Sequence, residues 1–361
     1  MRALDLAKVL AVCGAMALAG CSATQQKAAS DAAATTAQKA GEPKVIKQTD
    51  GSEADSGSTA VDGEEAMAAI LAKPLYEMKP YEVDRYLAYA HKTEPDLRKR
   101  IAMIARKNIG QPYELYLLGE FPFETYDSQP LFCLEKSDCV VFSEHTYAMA
   151  LSKDWPEFFA MLQRIRYRNG EIGVASRNHY TEADWDKNNS WLVKDISAEL
   201  AGDRAQPFAQ KIDRARFLKK RYKIDRDIPV QNFKDVYVPW DKVAEIEDQL
   251  QEGDFVNVMR SSGSPAEAYA GHVGLIVKGP NGETHFLHST EPRVKEQPLS
   301  EYIANARKWA DTEAKPGQAK LMGFKFLRLE KDPIANLKKI DGPDAPKVTP
   351  PGLSKVAAAG N

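Results

Sequence analysis

The chain has 361 residues, with 49 Lys and Arg against 51 Asp and Glu, a formal net charge of −2 and 43% hydrophobic residues. That near-neutral balance gives no reason to expect a nucleic-acid partner, and no apolar run approaches the roughly 20 residues that cross a bilayer. Of the four cysteines only two, Cys133 and Cys139, lie beyond residue 21, too few for a disulfide framework.

Arg2 and Lys8 form a positive n-region, and 9–19 are a short apolar stretch, as in a secretory leader. The stretch closes on Leu18-Ala19-Gly20-Cys21, which resembles a lipobox. Residues 1–21 are therefore expected to be a lipoprotein signal peptide, with Cys21 the lipidated residue. The expected place is the cell envelope of a Gram-negative-type bacterium, anchored to a membrane by lipid and facing the periplasm. Ser22 after the cysteine points to the outer membrane. Between 22 and 60 the only large aliphatic residues are Val45 and Ile46, so 22–65 are predicted to be a disordered tether. A core of 66–332 holds all five tryptophans. A flexible tail, 333–361, carries Pro343, Pro346, Pro350 and Pro351.

Within the core, apolar spacing predicts a helix over 81–91 and a second over 95–108 that stops at Gly110. A loop rich in Gly, Pro and aromatics follows over 110–132. Ser137 and Asp138 cap a third helix, 139–151, and Pro156 opens a fourth. Asn169-Gly170 marks a hairpin turn at the start of an insertion over about 165–235. The charged stretch 200–235 gives no clear period. From Gly253 the period becomes two, and 254–259, 272–277, 284–288 and 321–327 read as strands. Helices first and an antiparallel sheet afterwards predict an α+β domain.

Cys139 stands in the first turn of its predicted helix, directly after a capping aspartate. A helix N-terminus brings partial positive charge and N–H groups to a thiolate and to an oxyanion. His272 begins one predicted strand and His288 ends the next, so paired strands align them on one edge. His272 then suits the role of base and His288 that of the residue orienting it. In the insertion, Arg177-Asn178-His179-Tyr180 and Asp184-Trp185 gather polar and aromatic groups. Arg177 suits a peptide carboxylate and Tyr180 or Trp185 a sugar face. The other reading pairs Arg177 with Asp184 and buries the aromatics in the core. Cys133 is either a bystander or a disulfide partner of Cys139. Cys-x5-Cys and His-x15-His are not compact metal-finger spacings, and neither a metal nor an organic cofactor is expected.

Ile109-Gly110-Gln111-Pro112-Tyr113, Ser137-Asp138-Cys139, Gly253-Asp254-Phe255, Gly271-His272-Val273-Gly274 and Phe286-Leu287-His288-Ser289 occur in the order of the NlpC-type papain-like peptidases, which this chain resembles over about 95–330. The resemblance implies a papain-like fold, Cys139 as nucleophile, His272 as base, His288 as orienting residue and Tyr113 near the oxyanion. Val140-Val141 after the nucleophile, in place of the usual Ser-Gly, and the long insertion are similar to the N-acetylmuramoyl-L-alanine amidase-like branch. That branch implies a cysteine amidase acting on (anhydro)muropeptides. The alternatives are a γ-D-glutamyl-diamino acid endopeptidase, an acyltransferase of the same plan, or a non-catalytic cell-wall-binding lipoprotein.

Overall fold

The computed structural model describes residues 58–341, so the expected leader, Cys21 and most of the tether lie outside the described residues. The chain divides into two units between Ala66 and Met67, within the first helix, and everything from Pro80 onward belongs to the second. Helix α1 runs Ser58–Ala72, α2 Pro80–Thr93, α3 Leu97–Arg106, α4 Cys139–Ala150 and α5 Trp155–Arg166. After a π-turn at Thr181–Trp185 come α6 Asp186–Asn188, β1 Val193–Asp195, α7 Ser197–Ala201, β2 Gln206–Ile212, α8 Arg214–Tyr222 and β3 Gln231–Pro239. The chain ends with β4 Phe255–Ser261, β5 Tyr269–Lys278, β6 Thr284–His288, β7 Lys295–Pro298, α9 Leu299–Thr312, β8 Lys320–Leu329 and α10 Pro333–Asp341. Residues 58–65, expected in the tether, begin α1, and 333–341, expected in the tail, form α10.

The strands make one sheet in the order β2-β3-β8-β4-β5-β6-β7, with β1 beside β8. Every pairing between these strands is antiparallel. The expected α+β class is borne out. The two faces of the sheet follow from the period of two along each strand. Phe255, Val273, Leu275, Val277, Leu287 and Leu327 pack with residues of α2 to α5. The alternate residues Val256, Val258, Ile276, Phe286, Phe324 and Phe326 pack with Leu299 and Tyr302 of α9. Covering both faces explains why the central strands read as apolar runs instead of clean alternation.

The insertion gives no clear period in the sequence because its strands hide it. Along β2 only Phe208 and Ile212 are buried, four residues apart, which mimics a helical face. Asn169 and Gly170 both have positive φ, 57° and 74°, as a tight turn requires. The turn closes only the isolated bridge Tyr167↔Arg177, not a pair of strands.

Candidate active site

Helix α4 starts where the capping aspartate predicts. Asp138 Oδ1 accepts from the amides of Val140 and Val141 at 2.9 and 2.8 Å, satisfying two first-turn donors. Burial raises the Asp138 carboxyl above its usual pKa, against those two amides and the Arg166 charge, which lower it. Cys139 itself is 3% exposed, within the core that includes Val273 and Leu287. Neither it nor Cys133 is in a disulfide.

The segment before α4 is strapped to the loop that follows α3. Tyr113 N–H donates to the Pro292 carbonyl at 3.0 Å, Ser137 N–H to Pro112 at 3.1 Å and Glu114 N–H to Ser137 at 3.2 Å. Gln111 completes the strap: its Nε2 donates to the Leu134 carbonyl at 2.6 Å, and its Oε1 accepts from Ser137 Oγ at 2.7 Å. One more bond ties this strap to the sheet. Ser289 Oγ, immediately after His288, donates to the Ser137 carbonyl at 2.9 Å. The N-terminus of α4 is thus fixed at the end of β6, where the β5–β6 ladder stops at Leu275↔Leu287.

His272 and His288 meet there. Their rings pack against Phe286 and Tyr302, and His272 Nε2 is 2.7 Å from His288 Nδ1. Gly274 makes the approach possible, since a Cβ there would come within 2.6 Å of the Phe286 ring and 2.8 Å of the His288 Cβ. Phe286 stacks on His288 at 4.5 Å between ring centroids, and Tyr302 of α9 lies parallel to His272 at 6.5 Å and edge-on to His288 at 5.4 Å. Gln297 Nε2 is 3.2 Å from His288 Nε2, so both ring nitrogens of His288 have partners. Burial, then the charges of Arg260 and Lys295, hold His272 down to about 3. His288 is held well below its ordinary value by burial first, then by His272, Lys295 and Arg260. Both imidazoles are neutral at neutral pH, the form that accepts a proton.

The five insertion residues are placed differently, and none makes a hydrogen bond or ring contact with His272 or His288 among the described residues. Arg177, with a side chain 12% exposed, donates to both oxygens of Glu120, with Nε to Oε1 at 2.7 Å, and to Asp127 at 3.0 Å. Asp184 pairs instead with Arg214. Asn178 donates to the Ile165 carbonyl at 3.0 Å and accepts from Asn188 at 2.6 Å. His179 binds the Val174 carbonyl at 2.7 Å beside Phe217, and burial lowers its pKa to about 3. Tyr180 is half-buried under the Arg214 guanidinium at 5.5 Å. Trp185 is 1% exposed, stacks on Phe255 at 4.3 Å and donates to Glu144 of α4 at 3.1 Å.

Gln297, Tyr302, Arg260 and the Ser137–Ser289 link are the residues that sequence reasoning missed. Gln297 lies on a four-residue strand too short to show a period, and Tyr302 on a helix that belongs to no motif. Only Ser137 and Ser289 carried a signal, as immediate neighbours of Asp138 and His288.

One family model matches residues 103–309, the AmiA-like family, described as N-acetylmuramoyl-L-alanine amidase-like. Among curated proteins there is no match. A solved structure from Legionella pneumophila, of the DUF1460 family model, has a TM-score of 0.58 and 19% identity over 75% of this chain and 96% of that one. It shares the fold. An N-acetylmuramoyl-L-alanine amidase from Bacteroides uniformis has a TM-score of 0.49 and 22% identity, over 65% of this chain and 99% of that one. The family match runs from α3 to α9 and takes in Cys139, His272 and His288, and on it this chain belongs to the AmiA-like, N-acetylmuramoyl-L-alanine amidase-like family.

Proposed function

We propose that this chain is a cysteine-dependent amidase of the papain-like plan, which hydrolyses the N-acetylmuramoyl-L-alanine bond of (anhydro)muropeptides from the cell wall. The observation that carries this reading is the neutral His272–His288 pair, 2.7 Å apart, at the strand end to which the segment entering α4 is tied through Ser289 and Ser137. His272 Nδ1 takes the proton of the Cys139 thiol, while Nε2 stays on His288. The thiolate attacks the amide carbonyl, and the oxyanion falls to the Cys139 amide and the Tyr113 side chain. His272 then gives its proton to the departing alanine nitrogen, breaking the C–N bond and leaving a thioester on Cys139. Water, deprotonated by His272, releases the muramoyl carboxylate and restores the thiol.

The direction of proton flow sets the tautomers. For Nδ1 of His272 to accept, Nε2–H must donate to His288 Nδ1, and His288 Nε2–H must donate onward. Gln297 is the acceptor for that last proton through its Oε1, because amide oxygen and nitrogen exchange places by a flip of the side chain. In the envelope, a lipid on Cys21 would hold the enzyme beside its substrate.

Incubating the full chain with a defined anhydro-muropeptide and weighing the fragments by mass spectrometry tests the assignment. Free peptide beginning at L-alanine is expected. Cleavage within the peptide would replace the amidase by the endopeptidase reading, and no cleavage would favour a binding lipoprotein.

A further inference from the structure

Most of the partly buried arginines in this protein have an acid. Arg98 and Arg328 share Asp254, Arg106 has Glu296, Arg164 has Asp341, Arg166 has Glu144, Arg177 has Glu120 and Asp127, and Arg214 has Asp184. Arg260, on β4 beside the histidine pair, is different. Among the described residues no carboxylate lies within 4.0 Å of its guanidinium, and its one hydrogen bond is from Nη2 to the Tyr302 hydroxyl at 3.2 Å. Its Nε is shielded from solvent and has no partner. A buried guanidinium donor without an acceptor is costly, and in a native site it needs an explanation.

The backbone is shaped to keep Arg260 there. Gly271, the residue before His272, leaves the space its stem occupies, since a Cβ at 271 would come within 2.7 Å of Arg260 Cδ. The hydroxyl it holds belongs to Tyr302, the ring parallel to His272. Two more cations stand nearby without acidic partners among the described residues. Exposed Lys295 pairs with His288 across the β6–β7 ladder, and exposed Arg293 bridges Pro112 next to Tyr113. Arg260 and Lys295 both act on the histidine pair through their charge, with Arg293 two residues before Lys295, and such a cluster of unmatched cations attracts and orients an anion.

We propose that Arg260, flanked by Lys295 and Arg293, is a carboxylate subsite that holds an acidic group of the substrate's peptide portion beside His272. The inference rests on the amidase reading above. In that substrate the muramoyl carboxyl is consumed in the scissile amide, so the remaining carboxylates lie on the peptide, the side that leaves as the amine. A planar fork with an unmatched N–H matches a carboxylate in two-point geometry. Arg177, which the sequence alone suggests for that role, already has its donors on Glu120 and Asp127.

The test uses two muropeptides that differ only in having the acidic residue next to L-alanine as its free carboxylate or as its carboxamide. For the native chain the carboxylate form is expected to have the lower KM. Arg260→Gln should raise KM for that form by about 10- to 100-fold, the range for a hydrogen bond to a charged group, with KM for the carboxamide unaffected and any change in kcat shared by both substrates. Arg260→Lys should restore part of the difference, and Lys295→Gln, on an exposed side chain that tolerates change, should give a smaller shift in the same direction. Equal loss on both substrates, or a change confined to the pH profile of kcat, would overturn the subsite and make Arg260 a tuner of His272. If the native chain cleaves neither substrate, the amidase reading fails. Cleavage of both with identical KM sinks the subsite alone.

Discussion

Both ring nitrogens of His288 are engaged, one by His272 at 2.7 Å and one by Gln297 at 3.2 Å, so its proton can sit in only one of two places. The proposed chemistry demands the tautomer in which Gln297 accepts. Gln297→Leu removes that acceptor and leaves the His288 nitrogen unmatched, and kcat should fall by about 10- to 100-fold with KM little changed. Gln297→Glu keeps an acceptor and loses the donor, and should retain more activity than the leucine variant. If Gln297→Glu is the weaker enzyme of the two in steady-state kinetics, the glutamine acts as a donor and the proton path is reversed. At this scale the sequence shows a great deal. Asp138, Cys139, His272 and His288 sit in short motifs, because a capped helix start and adjacent strands are local features, although β5 begins at Tyr269, three residues before His272. Gln297 was not legible, since its role depends on a ladder pairing and not on its neighbours in the chain.

Among the elements, α4 and the strands β4, β5, β6 and β8 were legible and the insertion was not. Helix α4 has a cap, no Gly or Pro, and a nearly unbroken run of buried residues from Val141 to Ala150. Its buried Glu144 and His145 needed partners that the sequence does not reveal. Glu144 is met by Arg166 and Trp185, and His145 binds the Val141 carbonyl at 2.8 Å and accepts from the Cys133 amide at 3.4 Å. Burial raises the Glu144 carboxyl, and the Arg166 charge opposes it. Breaking such a pair by removing one partner typically costs about 3–5 kcal/mol, so the insertion is anchored to α4 by charge as well as by packing. Arg177 belongs to the same anchoring system. Its partner Glu120 lies 57 residues earlier, in a loop with no period, and so a bridge to Asp184 was as reasonable from spacing as the real one.

Burial keeps several imidazoles neutral by lowering them from an ordinary 6.5, among them His145 to about 4, His179 and His272 to about 3, and His288 well below its ordinary value. A group whose folded pKa is depressed gives stability that is complete above its unfolded pKa and is lost as pH falls through the folded one. Between about pH 6.5 and 3 the unfolded chain binds more protons at these sites, so the fold loses stability there. Glu144, Glu182 and Asp186 act in the opposite sense, because burial raises them and the folded state keeps their protons longer. His145→Phe isolates one contribution. It keeps a ring against Phe158, 5.7 Å away, at a cost of about 1 kcal/mol for the lost hydrogen bonds at pH 7. Its denaturation midpoint should then fall less steeply than that of the native chain between pH 6.5 and 4. A parallel decline in urea titrations at stepped pH would show that His145 is not held neutral.

That helices pack against an antiparallel sheet could be read from the change of period at Gly253. The helix α9 and the edge strand β7, which complete the histidine site, could not, because they are placed by pairings and packing far from any motif. Cys139 is the nucleophile of the proposed chemistry, and the most direct measurement compares the native chain with Cys139→Ala on one anhydro-muropeptide, counting free peptide by mass spectrometry. A loss of at least ~1,000-fold in the variant, with its thermal unfolding unchanged within a few degrees, is predicted for a nucleophile. Peptide release by Cys139→Ala within a few-fold of the native rate would contradict a cysteine mechanism.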